Sequence, residues 1–221
     1  MREGTLYIVS TPIGNLEDIT FRAIRTLKEV SLIAAEDTRR TNILLNHYGI
    51  KAKSTSFHSY NITKKTPHIV KRLLSGEDVA LVSDSGTPGI SDPGSVLIRE
   101  CVAKDIPMTT IPGPTALISA LVLSGKPTAK FIFEGFLSNK KAKRKNQIEK
   151  LKDEKRTVVV YESPHRIKKF LEDFLEVAGD REIVLARELT KKFEEVKREK
   201  VSDHIERFKE ANPKGEFVVI F

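Results

Sequence analysis

Short apolar runs alternate along the chain with stretches whose apolar residues recur every three or four positions. The runs 5–10 (TLYIVS), 31–35, 53–57, 79–83 and 108–111 read as strands. Asp18 or Thr20 can cap a helix carrying Phe21, Ile24, Leu27 and Val30 at helical spacing. Further helices are predicted over 38–48, stopped by Gly49, and over 67–74, 95–104 and 115–123. Gly and Pro punctuate 124–130 (SGKPTAK), the best domain boundary, which divides the chain into 1–124 and 125–221. Beyond it the pattern predicts a strand over 131–137, a Lys-rich helix, a strand over 157–161 and a helix over 165–177 ended by Gly179. A strand over 183–186, a helix capped by Ser202 and running to Ala211, and a closing strand over 216–221 complete it. Strands and helices alternate throughout, so both halves are expected to be α/β with largely parallel sheets.

Composition narrows the class. Of 221 residues, 39% are hydrophobic and 31% charged, the balance of a globular chain with a core rather than a disordered one. No apolar run reaches the roughly 18 residues of a membrane span. Met1 leads straight into a strand-like run, without a signal-peptide pattern. The lone Cys101 excludes an internal disulfide and a cysteine zinc site; it reads as a core residue of its helix. These features predict a cytoplasmic protein with no membrane partner.

The net charge of +8 is uneven. Residues 1–115 hold 14 basic and 12 acidic side chains, and residues 116–221 hold 24 and 18. The segment 138–156 alone holds nine basic against three acidic, which equals the whole excess of the second part. A focused basic cluster suits a polyanion such as RNA, because each neutralised phosphate releases counterions. A solvated Lys-rich helix gives the same composition.

Three turns follow strand ends in the first half: 11–16 (TPIGNL), 36–40 (EDTRR) and 84–94 (DSGTPGISDPG). In open α/β sheets the ligand crevice lies outside the carboxyl ends of the strands, where all three should gather. In the second half, 161–166 (YESPHR) and 187–195 place charged and hydroxyl groups at strand ends. No Walker phosphate loop, G-x-G-x-x-G or G-x-S-x-G occurs, and the five histidines form no H-E-x-x-H pair, so no metal is expected.

The motifs at 10–16 (STPIGNL), 35–39 (AEDTR), 82–88 (VSDSGTP) with 90–94 (ISDPG), 112–116 (PGPTA), 161–166 (YESPHR) and 186–191 (ARELTK) occur in this order. Together they resemble the ribosomal RNA small subunit methyltransferase I family, of the tetrapyrrole-methylase fold, over residues 5–221. The resemblance implies two α/β domains with a cleft between them, a homodimer, and S-adenosylmethionine as cofactor. It implies 2′-O-methylation of a cytidine ribose in the decoding region of small-subunit rRNA, either free or in the assembled subunit. By similarity the cofactor is held by Pro12 and Ile13, by Asp84, Ser85, Gly86 and Thr87, and by Pro112, Gly113, Pro114 and Thr115. Tyr161 and Ala186 are expected to add to it from the second domain.

Ser10 and Ser85 stand where family members often have Ala, and Ser138 where Pro is frequent. Many members continue beyond the position of Phe221 into a helical extension. A 2′-hydroxyl is a poor acid, so a base or nearby cation should assist its deprotonation. Glu36, Asp37, Glu162 and Lys191 are the candidates, standing next to strand ends. Arg39, Arg166 and Arg187 are candidates to clamp phosphates bidentately, and Lys140, Lys141, Lys143, Arg144 and Lys145 to make looser backbone contacts. Two other readings stay open: a methylase of the same fold acting on a corrin or porphyrin precursor, and a non-catalytic RNA-binding protein.

Overall fold

The structure, a computed structural model, describes residues 3–92, 94–209 and 213–221. The chain separates into two compact units, residues 1–115 and 116–221. The expected boundary at 124 lies one helix further on, because the apolar helix 116–124 packs within the second unit.

The first unit holds β1 (Leu6–Val9), α1 (Phe21–Glu29), β2 (Leu32–Ala35), α2 (Thr38–His47), β3 (Ser54–Ser56), α3 (Ile62–Leu74), β4 (Val79–Val82), α4 (Ser95–Ala103) and β5 (Met108–Ile111). Its sheet runs β3-β2-β4-β1-β5, every pair parallel. β2 and β4 are buried at every position, as strands covered on both faces must be. One core layer gathers Val9, Ala23, Leu27, Ile33, Leu44 and Val82. The opposite layer gathers Leu6, Phe57, Ile69, Leu81, Leu97 and Cys101. Cys101 is fully buried and its thiol is pushed up to about 11 by desolvation, so it packs as a hydrophobe.

Thr20 caps α1 by accepting from the amide of Ala23 at 3.1 Å. Phe21 lies on the solvent side of α1, 93% exposed; Ala23, Thr26 and Leu27 make the buried face instead. α3 begins a turn earlier than Pro67, which stands inside the helix behind the N-cap Asn61.

The second unit holds α5 (Ala116–Ser124), β6 (Phe131–Phe136), α6 (Lys141–Leu151), β7 (Thr157–Glu162), α7 (Ile167–Ala178), β8 (Glu182–Arg187), β9 (Glu195–Lys200), α8 (Val201–Arg207) and β10 (Phe217–Ile220). Its sheet runs β6-β7-β10-β8-β9. Only β6 and β7 are parallel; β10 runs antiparallel to both β7 and β8, and β9 to β8. The expectation of a largely parallel second sheet is therefore corrected to a mixed one. β9 (EVKREK) was not anticipated and forms a charged edge. α8 ends at Arg207, and its expected end at Ala211 falls outside the described residues. α6, α7 and α8 cover one face of this sheet around Ile148, Phe170, Phe174 and Val219; α5 packs on the other.

Candidate active site

Because all five strands of the first sheet are parallel, their carboxyl ends share one edge, and the turns 10–16, 36–40, 83–94 and 112–115 leave from it. They are tied together there. Thr11 and Gly86 exchange backbone hydrogen bonds of 2.9 and 3.0 Å, and the Ser10 and Thr87 hydroxyls lie 2.9 Å apart. The Thr87 hydroxyl also reaches the Pro114 carbonyl at 3.4 Å, and the Thr11 hydroxyl donates to the Ser83 carbonyl at 3.2 Å. Gly86 adopts φ +78°, where a side chain is strained, and sits against Ile13 and Pro114. A Cβ at Gly113 would come within 3.0 Å of the Ser10 Cβ. Pro12, Ile13, 84–87 and 112–115 thus form one ledge of closely spaced backbone.

Carboxylates line the same edge. Asp84 accepts from the Asp37 amide at 2.9 Å and meets Arg40 at 3.5 Å; Glu36 accepts from the Asp84 amide at 3.2 Å. Burial raises both carboxyls above their ordinary values, against the pull of their backbone hydrogen bonds. Asp92, in the same loop, is raised to about 7 by burial and by the nearby charge of Glu36. The sequence reading passed over Asp92; its place as a further acid in the 84–94 loop was the available signal. Asp37 differs: its carboxylate is held by Arg39 at 2.7 Å, which lowers it to about 2. Arg39 is exposed but committed to this pair.

The second unit holds the other candidates. The Tyr161 hydroxyl accepts from the Leu117 amide at 3.0 Å, at the start of α5. Ala186 is fully buried in the middle of the sheet between β9 and β10, so only its backbone could meet a ligand. Glu162 is enclosed; it accepts from the Ser163 amide at 2.8 Å and pairs with Arg166 at 3.2 Å. Arg166 also donates to the Leu137 carbonyl. Lys191 lies 2.9 Å from Glu188 and 3.2 Å from Glu216. Burial pulls its ammonium down, but these carboxylates outweigh burial and hold it above the ordinary lysine range. Lys191 is therefore a fixed cation rather than a base. Arg187 donates to the Lys214 carbonyl at 2.7 Å.

The basic helix divides. Lys140, Lys141 and Lys143 are exposed, and a shallow hollow on α6 is lined by Ala142, Lys143, Asn146, Gln147 and Lys150. Lys145 pairs with Glu176. Arg144 is the correction: it is buried and pairs with the equally buried Asp173, with Nε donating at 2.8 Å. Its Nη1 donates to the Ser138 and Asn139 carbonyls at 3.3 Å. That guanidinium is spent inside the fold and leaves the set of phosphate contacts. Among the described residues no three His, Cys, Asp or Glu form a group suited to a metal, and no helix is long and apolar enough to cross a membrane.

The description of the tetrapyrrole (corrin/porphyrin) methylases matches residues 5–204. The ribosomal RNA small subunit methyltransferase I of Thermotoga maritima is 51% identical over 217 residues, 98% of this chain and 97% of that one. The chain belongs to the ribosomal RNA small subunit methyltransferase I family. Another member of that family, from Halalkalibacterium halodurans, is 48% identical across 99% of this chain and 75% of its own. The family's fold is shared by a cobalt precorrin-4 methyltransferase (TM-score 0.72, 17% identity, 98% of this chain and 94% of that one). It is shared too by a diphthine synthase (TM-score 0.76, 13% identity, 98% and 89%). Both likenesses speak to the fold alone.

Proposed function

We propose that this chain uses S-adenosylmethionine to methylate the ribose 2′-oxygen of a cytidine in the decoding region of small-subunit rRNA. The observation that carries the reading is the near-complete match, over both chains, to a relative named for methylating small-subunit rRNA. The exposed lysines of α6 favour an RNA acceptor over a corrin or porphyrin precursor. The protein works in the cytoplasm as a homodimer.

The residues of the ledge fit the cofactor. Gly86, at φ +78°, and Gly113, against the Ser10 Cβ, let these loops close up into the ledge, and Asp84 and Glu36 set negative charge on the same edge for the cofactor's cationic group. When bound, S-adenosylmethionine supplies a methyl group already activated on a sulfonium, with a neutral leaving group. The chain then has to align the 2′-oxygen and remove its proton. Asp37 is held by Arg39, Glu162 is enclosed with Arg166, and Lys191 is a fixed cation. Glu36, half-buried with a raised carboxyl, is the group suited to take the proton at a carboxylate oxygen. The exposed Lys140, Lys141 and Lys143 steer the phosphates.

The test is transfer of labelled methyl to small ribosomal subunits lacking the modification, with nuclease and ribose mapping of the product. Label on a cytidine 2′-oxygen is expected. Calorimetric binding of the cofactor without label on subunits or free rRNA overturns the acceptor and returns the corrin reading.

A further inference from the structure

Strand β6 carries a bulge. Its pairing with β7 runs Phe131–Thr157, Ile132–Val158 and Phe133–Val159, then resumes at Gly135–Val160 and Phe136–Tyr161. Glu134 is the extra residue, and Gly135 takes φ +62° to absorb it. Regular alternation would send residues 133 and 136 to opposite faces. The extra residue cancels one step, so both rings share a face. Each meets Tyr161 edge-on, with centroids 4.8 Å away for Phe133 and 5.7 Å for Phe136. The next residue, Leu137, returns to the core at 1% exposure, while Phe136 stays 51% exposed.

The turn after Phe136 is held with unusual redundancy. Arg166 donates to the Leu137 carbonyl, and Arg144 to those of Ser138 and Asn139. The Ser138 amide donates to the Gln147 side chain at 2.8 Å. Arg144 is itself locked by Asp173. Two arginines that sequence reasoning sent to phosphates instead fix the path from Phe136 to Lys140. Four residues span at most about 14 Å, so the exposed ring stands close to the first lysines of α6.

We propose that Phe136 is a stacking platform for an unpaired base of the RNA, with Lys140, Lys141 and Lys143 neutralising the adjoining phosphates; this rests on the rRNA reading above. A rigid exposed aromatic ring beside a row of cations is how single-stranded RNA is gripped: the ring takes a base face and the cations take the backbone. The positive charge beside the ring favours this occupant over a second copy of the same basic chain.

The chain has no tryptophan, so Phe136→Trp places a single reporter at the platform. It is titrated with an unmodified transcript of the decoding region, and binding is followed independently by filter retention. Quenching of the Trp emission is expected to saturate together with retention. Phe193→Trp, a second exposed ring position, is expected to respond little. Phe136→Ala should weaken retention about tenfold and Phe136→Tyr should restore it, with both variants keeping a cooperative melting transition. Native retention by Phe136→Ala, or unchanged Trp emission at saturation, overturns the platform and leaves the rRNA reading standing. If the unaltered chain retains small ribosomal subunits but not the transcript, the same titration is run with subunits; failure to retain either overturns both. Emission that shifts with protein concentration alone assigns the face to a second copy and overturns the platform.

Discussion

Glu36 and Asp92 both line a small hollow at the 84–94 loop, together with Ser83 and Gly94, and the Glu36 charge raises the cost of ionising Asp92. Glu36 is the proposed base. Glu36→Gln keeps the hydrogen bond to the Asp84 amide but removes the proton acceptor. Methyl transfer in single turnovers at saturating cofactor should fall by roughly 10²–10⁴-fold. Asp92 has a consequence for stability. Its native carboxyl titrates at about 7 against an ordinary 3.8, so the folded state holds a proton that the unfolded chain releases between those values. Stability from this group is present at low pH, falls as pH rises through the window, and levels off above it. Asp92→Asn should leave the melting temperature unaltered near pH 4 and raise it at pH 8. Allowing for partial exposure, the gain is on the order of 1–2 kcal/mol, or about 2–6 °C, read by calorimetry across pH.

Arg144 shows how an element gives a residue its meaning. Arg144, Ile148 and Leu151 are the buried positions of α6, spaced by four and three, so the arginine lies on the apolar stripe and its lysine neighbours do not. Arg144→Ala strands the buried Asp173 carboxylate and should cost about 3–5 kcal/mol in denaturant unfolding, whereas Lys143→Ala should cost almost nothing. The apolar pair Arg144→Met with Asp173→Leu should recover much of the loss. This also marks where the sequence stops being legible. The first sheet was readable because 32–35 and 79–82 are apolar throughout, and the ledge because Gly and Pro follow each strand end. Arg144 was misplaced because a run of basic residues hides one whose partner lies 29 positions away. β9 was missed because an edge strand with charge at five of its six positions has no apolar face to betray it, and it is specified by pairing with β8. The antiparallel setting of β10 is a property of topology, which periodicity does not encode.

Across the whole molecule the excess charge is concentrated rather than spread, and the exposed part of it on α6 and its N-cap is lysine. Binding to RNA should therefore weaken steeply with salt. Replacing Lys140, Lys141 and Lys143 together by Ala should reduce the slope of log affinity against log salt by about 2, since each single-strand phosphate contact contributes roughly 0.7. Filter retention over a salt series measures it, and the melting temperature should hold because all three side chains are exposed. The two units also differ in when they can be finished. The first sheet draws all its strands from residues 6–111, ahead of anything in the second unit. In the second, the central strand β10 is the last of the five in chain order, and it alone joins β6-β7 to β8-β9. A nascent chain that has emerged as far as β9 therefore carries one complete sheet and two half-sheets whose inner edges are bare. Until β10 slots between them, β7 and β8 are open templates for any passing strand, and that interval is when this protein is most exposed to aggregation during synthesis.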